Sequence, residues 1–313
     1  MVRVLLAAVL AVLAAASNAL ASVGQRAAAR KGPQHASFRL RMVLDLARRP
    51  VWWAGIAGVV GGAVFQGSAL IFGPLALVQP ILMVELPFTL VFAAAVFGGR
   101  LDARSAAGML GLTVGIVLLL VAVAPSGGVT TVRPERWLFA LPLTAVAVAA
   151  LALAGRSVRH PAGATLLGAS AAVTFALTAA LMKDATERIP RGAAAFFGTW
   201  QLYLTAVVGL VALFLLQNAY QAGPLAASQP ALTLGDAVVS LVYSVVLFDE
   251  RLRLGAWTAV AAVGVLLILG GALGLARSPL VAATTGHAEV EPAKDGPQWT
   301  DGVNARRAAG TGR

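Results

Sequence analysis

The feature that most constrains this chain is a succession of apolar blocks, each about as long as a helix needs to cross a bilayer. Roughly 20 residues at about 1.5 Å each cover some 30 Å of hydrocarbon. Nine blocks can be marked, at 4–23, 52–72, 76–97, 105–124, 137–154, 164–182, 199–220, 228–247 and 256–276. Hydrophobic residues make up 59% of the chain and charged ones 12%, a balance that a water-soluble core of this length does not use. The expected fold is therefore an all-α polytopic membrane protein of about nine transmembrane helices.

A formal charge of +11 would suggest nucleic acid if it lined a folded surface, but the basic residues sit between apolar blocks and in the tails. Cytoplasmic loops and anionic lipid headgroups account for them, so membrane lipid is an expected partner and nucleic acid is not. Placing the loop 24–51 in the cytoplasm puts most of the 24 Lys and Arg residues inside, which sets the N-terminus outside and the C-terminus in the cytoplasm. The chain has no cysteine, and its three histidines (His35, His160, His287) lie outside the blocks, so no cysteine or histidine metal centre and no cofactor is expected in the membrane.

The chain repeats itself. GPLALVQP at Gly73–Pro80 recurs as GPLAASQP at Gly223–Pro230, and FGGRL at Phe97–Leu101 recurs as FDERL at Phe248–Leu252, with offsets of 150 and 151 residues. One inserted residue between Pro230 and Phe248 brings Glu85 into register with Asp236, Thr89 with Ser240, and Arg100 with Arg251. ASVGQRAAAR at Ala21–Arg30 also aligns with AALMKDATER at Ala179–Arg188, which pairs Gln25 with Lys183. The first block otherwise matches a secretory leader, with Arg3, an apolar run and small residues before a cleavage point. Its recurrence inside the chain argues for the first copy of a repeated helix instead.

An odd number of spans separates equivalent helices, so the copies must cross in opposite directions, as in inverted-repeat carriers. The expected organisation is a first repeat of four helices at 1–124, with its basic loop at 24–51, a second repeat of five at 125–276, and a disordered cytoplasmic tail at 277–313. The segment Ser37–Arg49 carries an apolar and a basic stripe at helical spacing and fits either an interfacial helix or a solvated loop.

Glu85 and Asp236 fall near the centre of their spans, where an ionised carboxylate costs at least about 2.5 kcal/mol. Such a group faces a water-filled cavity, pairs with a cation or takes up a proton, and each option links it to protons or cations. The alternative is a protonated acid that only packs. Thr89 and Ser240 follow one turn later on the same face and extend the patch, unless each hydroxyl bonds its own backbone. Gln79 and Gln229 stand with Pro80 and Pro230 before the acids, and Pro87 follows Glu85. Prolines inside a span free backbone carbonyls, which can line a cavity. Gln66, Gln201 and Lys183 are weaker candidates. For Lys183 the plain reading is a snorkelling side chain in a charged external loop, and the sharper one an external gate.

Taken together, the repeated GPLA–QP segment, the acid after it and the GGRL or DERL corner resemble the drug/metabolite transporter superfamily, on its EamA-like and NIPA-like side. Trp52-Trp53 and the shortened first half fit the NIPA-like proteins. The resemblance implies inverted five-helix repeats and a secondary carrier. The corner Asp249-Glu250-Arg251-Leu252 keeps the family's acid before Arg-Leu, while Gly98-Gly99-Arg100-Leu101 does not. The expected function is alternating-access transport of a small metabolite, amine or drug-like solute, proton-coupled through Glu85 and Asp236. The alternatives are a divalent-cation (Mg²⁺) transporter and a non-transporting scaffold. No enzyme activity is expected, because Thr233-Leu234-Gly235-Asp236 lacks the first glycine of an intramembrane aspartyl protease motif. Substrate, direction and oligomeric state, monomer or dimer, stay open.

Overall fold

The computed structural model describes residues 2–30, 50–97, 101–129, 131–158, 161–253 and 255–278. The Ser37–Arg49 segment, Arg100 and the tail beyond 278 lie outside them. The chain is nearly all helix, and eight helices are long and apolar enough to cross a membrane, with Ala57–Phe72 a shorter apolar helix beside them.

In chain order the helices are α1 (Val2–Arg30), α2 (Pro50–Phe72), α3 (Leu75–Leu82), α4 (Glu85–Phe97), α5 (Ala103–Val123), α6 (Pro134–Ser157), α7 (Ala162–Thr186), α8 (Ala193–Phe197), α9 (Trp200–Ala222), α10 (Leu225–Val246) and α11 (Trp257–Ala276). A two-residue antiparallel ladder joins β1 (Ser126–Gly127) to β2 (Glu250–Arg251). Helix α1 runs past the expected end of its block because Ala27, Ala28 and Ala29 are strong helix formers. Helix α7 continues through Lys183 and Asp184, which sequence reading leaves in a loop. Both side chains are buried and find partners there.

Both copies of the Gly-Pro turn have one backbone form. Pro74 and Pro224 precede α3 and α10 at φ −65° in each case, and each proline carbonyl accepts from the N–H groups three and four residues on. The copies then diverge. Pro80 and Pro230 both lie inside helices, but α10 runs unbroken whereas the first copy breaks at Met83–Val84. Pro87, which Val238 replaces in the second copy, accounts for the difference. It has no N–H to give to Met83, whose carbonyl accepts instead from Leu86 N–H at 3.1 Å. The freed carbonyl is thus taken up by a tighter turn, and a break at both prolines, the sequence expectation, is found in one copy.

Helix α1 packs along α2, α3 and α4, and α7 packs along α9, α10 and α6. Helices α5 and α11 cross most closely of all. A Cβ on Gly115 would stand 2.6 Å from the Gly264 carbonyl oxygen, and one on Gly271 2.6 Å from that of Gly108. Gly115 with Gly264 and Gly108 with Gly271 is the contact order of two antiparallel helices, and only glycine fits.

The largest apolar core gathers at one end of the bundle, where Leu70, Leu75, Val78, Leu181, Leu247 and Phe248 are fully buried. Gly73 lies at this end against Ala7 of α1. By contrast α6 turns Leu138, Phe139, Leu143 and Val146 outward, with Phe139 78% exposed, as a lipid-facing helix does.

Candidate functional site

A cavity of about 800 Å³ opens inside the bundle between α1, α2, α4, α7, α9 and α10. Its depth follows from the helix directions. Gly73, Lys183 and Glu250 mark the end where the core is densest, whereas the cavity wall reaches Ser22, Ala93, Tyr220 and Ala276, at the far ends of α1, α4, α9 and α11. The cavity therefore extends toward one end of the bundle and stops short of the other.

Glu85 and Asp236 both line it, although they come from helices α4 and α10 in different halves of the chain. Gln66, Gln79, Thr89 and Gln229 line it as well. Gln229 Oε1 accepts from the Tyr220 hydroxyl at 3.3 Å. Asp236 Oδ1 is buried and meets no hydrogen-bond partner among the described residues. Thr178, Thr205 and Thr233 add hydroxyls that sequence reading did not single out; only their place on inward helix faces marks them. Leu86, Leu90, Phe175, Met182 and Leu213 supply apolar wall.

Three sequence candidates lie elsewhere. Ser240 is fully buried, outside the cavity wall, and its hydroxyl has no hydrogen-bond partner. Thr89 and Ser240 are each one turn past their acids, but Thr89 lines the cavity while Ser240 stands beside Asp236 behind the wall. Gln201 and Lys183 belong to the closed end.

That closed end has its own construction. Lys183, in the last turn of α7, is 5% exposed. Its ammonium donates to the Gly73 carbonyl at 3.1 Å and pairs with Glu250 at 3.3 Å. It also lies 5.1 Å from the Phe248 ring centroid. Glu250 accepts from the Leu75 and Ala76 backbone N–H groups at 2.6 and 3.0 Å, so one carboxylate caps the start of α3 and neutralises the lysine. The side chain does not snorkel, because its charge is met within the protein.

Asp184 is the companion anchor and a further carboxylate within the bundle. It is fully buried and accepts from Trp137 Nε1 at 2.9 Å, Gln201 Nε2 at 2.8 Å and the Val132 N–H at 3.3 Å. Gln201 is held in turn by the Thr199 hydroxyl. These bonds tie α7 to α6 and α9, as Lys183 ties it to the α2–α3 corner and to β2. Neighbouring links complete the end: the β1–β2 ladder, Val129 N–H to the Phe248 carbonyl at 2.6 Å, and Arg136 to Asp249 at 2.8 Å. A smaller hollow of about 150 Å³ sits over the pair, beside Gly128, Glu187 and Pro74.

Among the described residues no group of three or more His, Asp or Glu side chains gathers to hold a metal ion.

Comparison with known proteins adds one relative. The chain is 26% identical over 281 residues to an uncharacterized protein of Corynebacterium glutamicum, covering 89% of this chain and 97% of that protein. The match runs along most of both chains, not a single segment. No protein-family model matches the chain, and no solved structure matches it.

Proposed function

We propose that the protein is a secondary carrier of a small solute, working by alternating access, with Glu85 and Asp236 taking up protons and solute in turn. The observation that carries this reading is that two mid-membrane carboxylates from separate halves of the chain line one cavity open toward a single end. A packing role needs no cavity, and a scaffold needs no acids in it.

The architecture proposed with it is nine transmembrane helices in an inverted repeat of four plus five, at 1–124 and 125–276, in the manner of the drug/metabolite transporter superfamily. Ala57–Phe72 becomes the ninth span once the rest of α2 is counted. Helices α1, α2, α3–α4 and α5 correspond to α7, α9, α10 and α11. The packing of α1 on α2 and on α3–α4 has its counterpart in α7 on α9 and α10, and the equivalent helices α5 and α11 run antiparallel. Both features are what a repeat inverted about a membrane-plane axis would produce. The N-terminus is placed outside and the C-terminus in the cytoplasm, which sets the cavity open to the cytoplasm.

The divalent-cation reading draws on the same two acids with Gln79, Gln229 and Thr89. Hard cations take six or more oxygens, and the cavity offers two carboxylates in a largely apolar wall. It is the weaker of the two.

The test is solute-driven proton movement in proteoliposomes. Wild-type protein is expected to acidify or alkalinise the lumen when an accepted solute is added, and the double variant Glu85→Gln/Asp236→Asn to lose the response while keeping its fold. Flux unaffected by the double variant would overturn the role of the acids.

A further inference from the structure

Among the described residues, the ionisable side chains in the cavity wall are the acids Glu85 and Asp236, and no lysine, arginine or histidine lines it with them. Three cations near the closed end are engaged elsewhere. Lys183 belongs to Glu250 and Gly73, Arg136 to Asp249 and the carbonyls of Val246 and Leu247, and Arg253 to the Val121 and Ala122 carbonyls and the Trp257 ring.

An anion entering this space would leave water and meet no positive partner, which buried charge does not tolerate. A bare metal ion faces the opposite mismatch. Its ligands would have to converge on a small sphere, but the hollow measures about 800 Å³ and much of its wall is leucine, phenylalanine and methionine. That volume lies in the range of pockets that take drug-sized organic molecules. Asp236 Oδ1 is buried, with the Ser240 hydroxyl as its polar neighbour and no hydrogen bond of ordinary geometry, which leaves acceptor capacity for an N–H donor. Gln79 and Gln229 add amide oxygens, and Leu213 and Phe175 an apolar face.

From these observations we infer that the solute is an organic monocation: an ammonium head held at Asp236 and Glu85, and an apolar body against the Phe175 and Leu213 side. This rests on the carrier reading and assigns the charge and chemical class of its solute. Selection works by exclusion as well as attraction, because carboxylates that welcome an ammonium repel a carboxylate of the same shape.

Matched probes test it. Binding of 2-phenylethylamine, 2-phenylethanol and 3-phenylpropanoate to the full-length protein in lipid nanodiscs is measured by calorimetry at neutral pH, with hexylamine, hexanol and hexanoate as a second set. The amines are expected to bind at least 10-fold more tightly than the alcohols, and the acids not to bind. Asp236→Asn should remove most of the amine preference, and the wild-type ranking decides the matter even where that variant does not fold. Acids binding as well as amines, or no amine binding in either set, would overturn the inference. Mg²⁺ binding that excludes the amines would do so too. The carrier reading is judged separately by flux of the same amines in proteoliposomes. Amine binding without flux defeats the carrier and keeps the cation site, and flux of the acids defeats the cation site and keeps the carrier.

Discussion

The two corners that follow the apolar runs of α4 and α10 are copies of one sequence pattern, and they differ in the charges they carry. At the closed end Asp249 and Glu250 precede Arg251, and Lys183 completes a buried ion pair that also caps α3. At the corresponding positions of the other copy stand Gly98, Gly99 and Gln25, which offer no carboxylate and no ammonium. The Gly-Pro turns they would cap are nearly superposable in backbone angles. The turns match in backbone while the acid and the lysine are present in one copy of the sequence pattern only. The two corners are chemically unequal: one holds a buried ion pair, and the matching positions of the other have no acid or base with which to form one.

Removing the ion pair tests this inequality most severely. Glu250→Ala leaves Lys183 buried without its counter-ion and two backbone N–H groups without acceptors. Breaking a buried pair from one side costs about 3–5 kcal/mol, to be read as a lower unfolding midpoint in detergent. Lys183→Met should cost less, since Glu250 keeps its backbone donors, and the double variant less than the sum of the two. Equal and additive losses would mean that the pair is not coupled.

Asp184→Ala should come next. It strands Trp137 Nε1, Gln201 Nε2 and the Val132 N–H, at about 1–3 kcal/mol for buried groups left unmade, with Trp137 fluorescence as a direct reporter. A midpoint unchanged from wild type would remove Asp184 from the closed end's framework.

The comparison can also be sharpened by building the missing pair. Because the chain has no cysteine, a single Thr89→Cys reports access to the cavity by maleimide labelling. Adding Gln25→Lys and Gly99→Glu should slow labelling roughly 5-fold, the equivalent of about 1 kcal/mol toward a closed state. No slowing would show that charge at this corner does not bear on access.

The smallest effect belongs to the exposed rim. The hydrogen bond from Arg136 holds the Asp249 carboxyl below the ordinary aspartate range. A group with a lowered folded-state value adds stability above about pH 4, and that contribution fades as pH falls through the lowered value. Asp249→Asn should therefore flatten the acid limb of a stability–pH curve slightly and leave neutral pH nearly unchanged, as surface pairs do.

What sequence makes legible here follows from how local each signal is. Block length depends only on the bilayer, so the membrane-spanning helices are readable directly. Register between copies depends on a short textual match, and it was enough to select Glu85 and Asp236, which the fold brings to one cavity. Lys183 and Asp184 escape because their partners are distant in sequence. A lysine at the end of an apolar block looks the same whether it snorkels or meets Glu250, 67 positions on. Gln201 likewise reads as a lone amide until Asp184 is placed beside it. Ser240 misleads for the opposite reason: its textual match to Thr89 is sound, but a match in sequence does not say which hydroxyl reaches the cavity wall, and only Thr89 does.

The glycine crossing of α5 and α11 has a mechanical consequence. At the glycine contacts the two backbones meet directly, flanked by Leu112, Ile116, Leu119 and Ile268, so little there can compress or slip and the pair forms a single strut. In the proposed carrier, motion that exchanges access between the ends would be taken up by the helices around that strut, and a methyl group added at Gly115 or Gly271 would prise the joint apart.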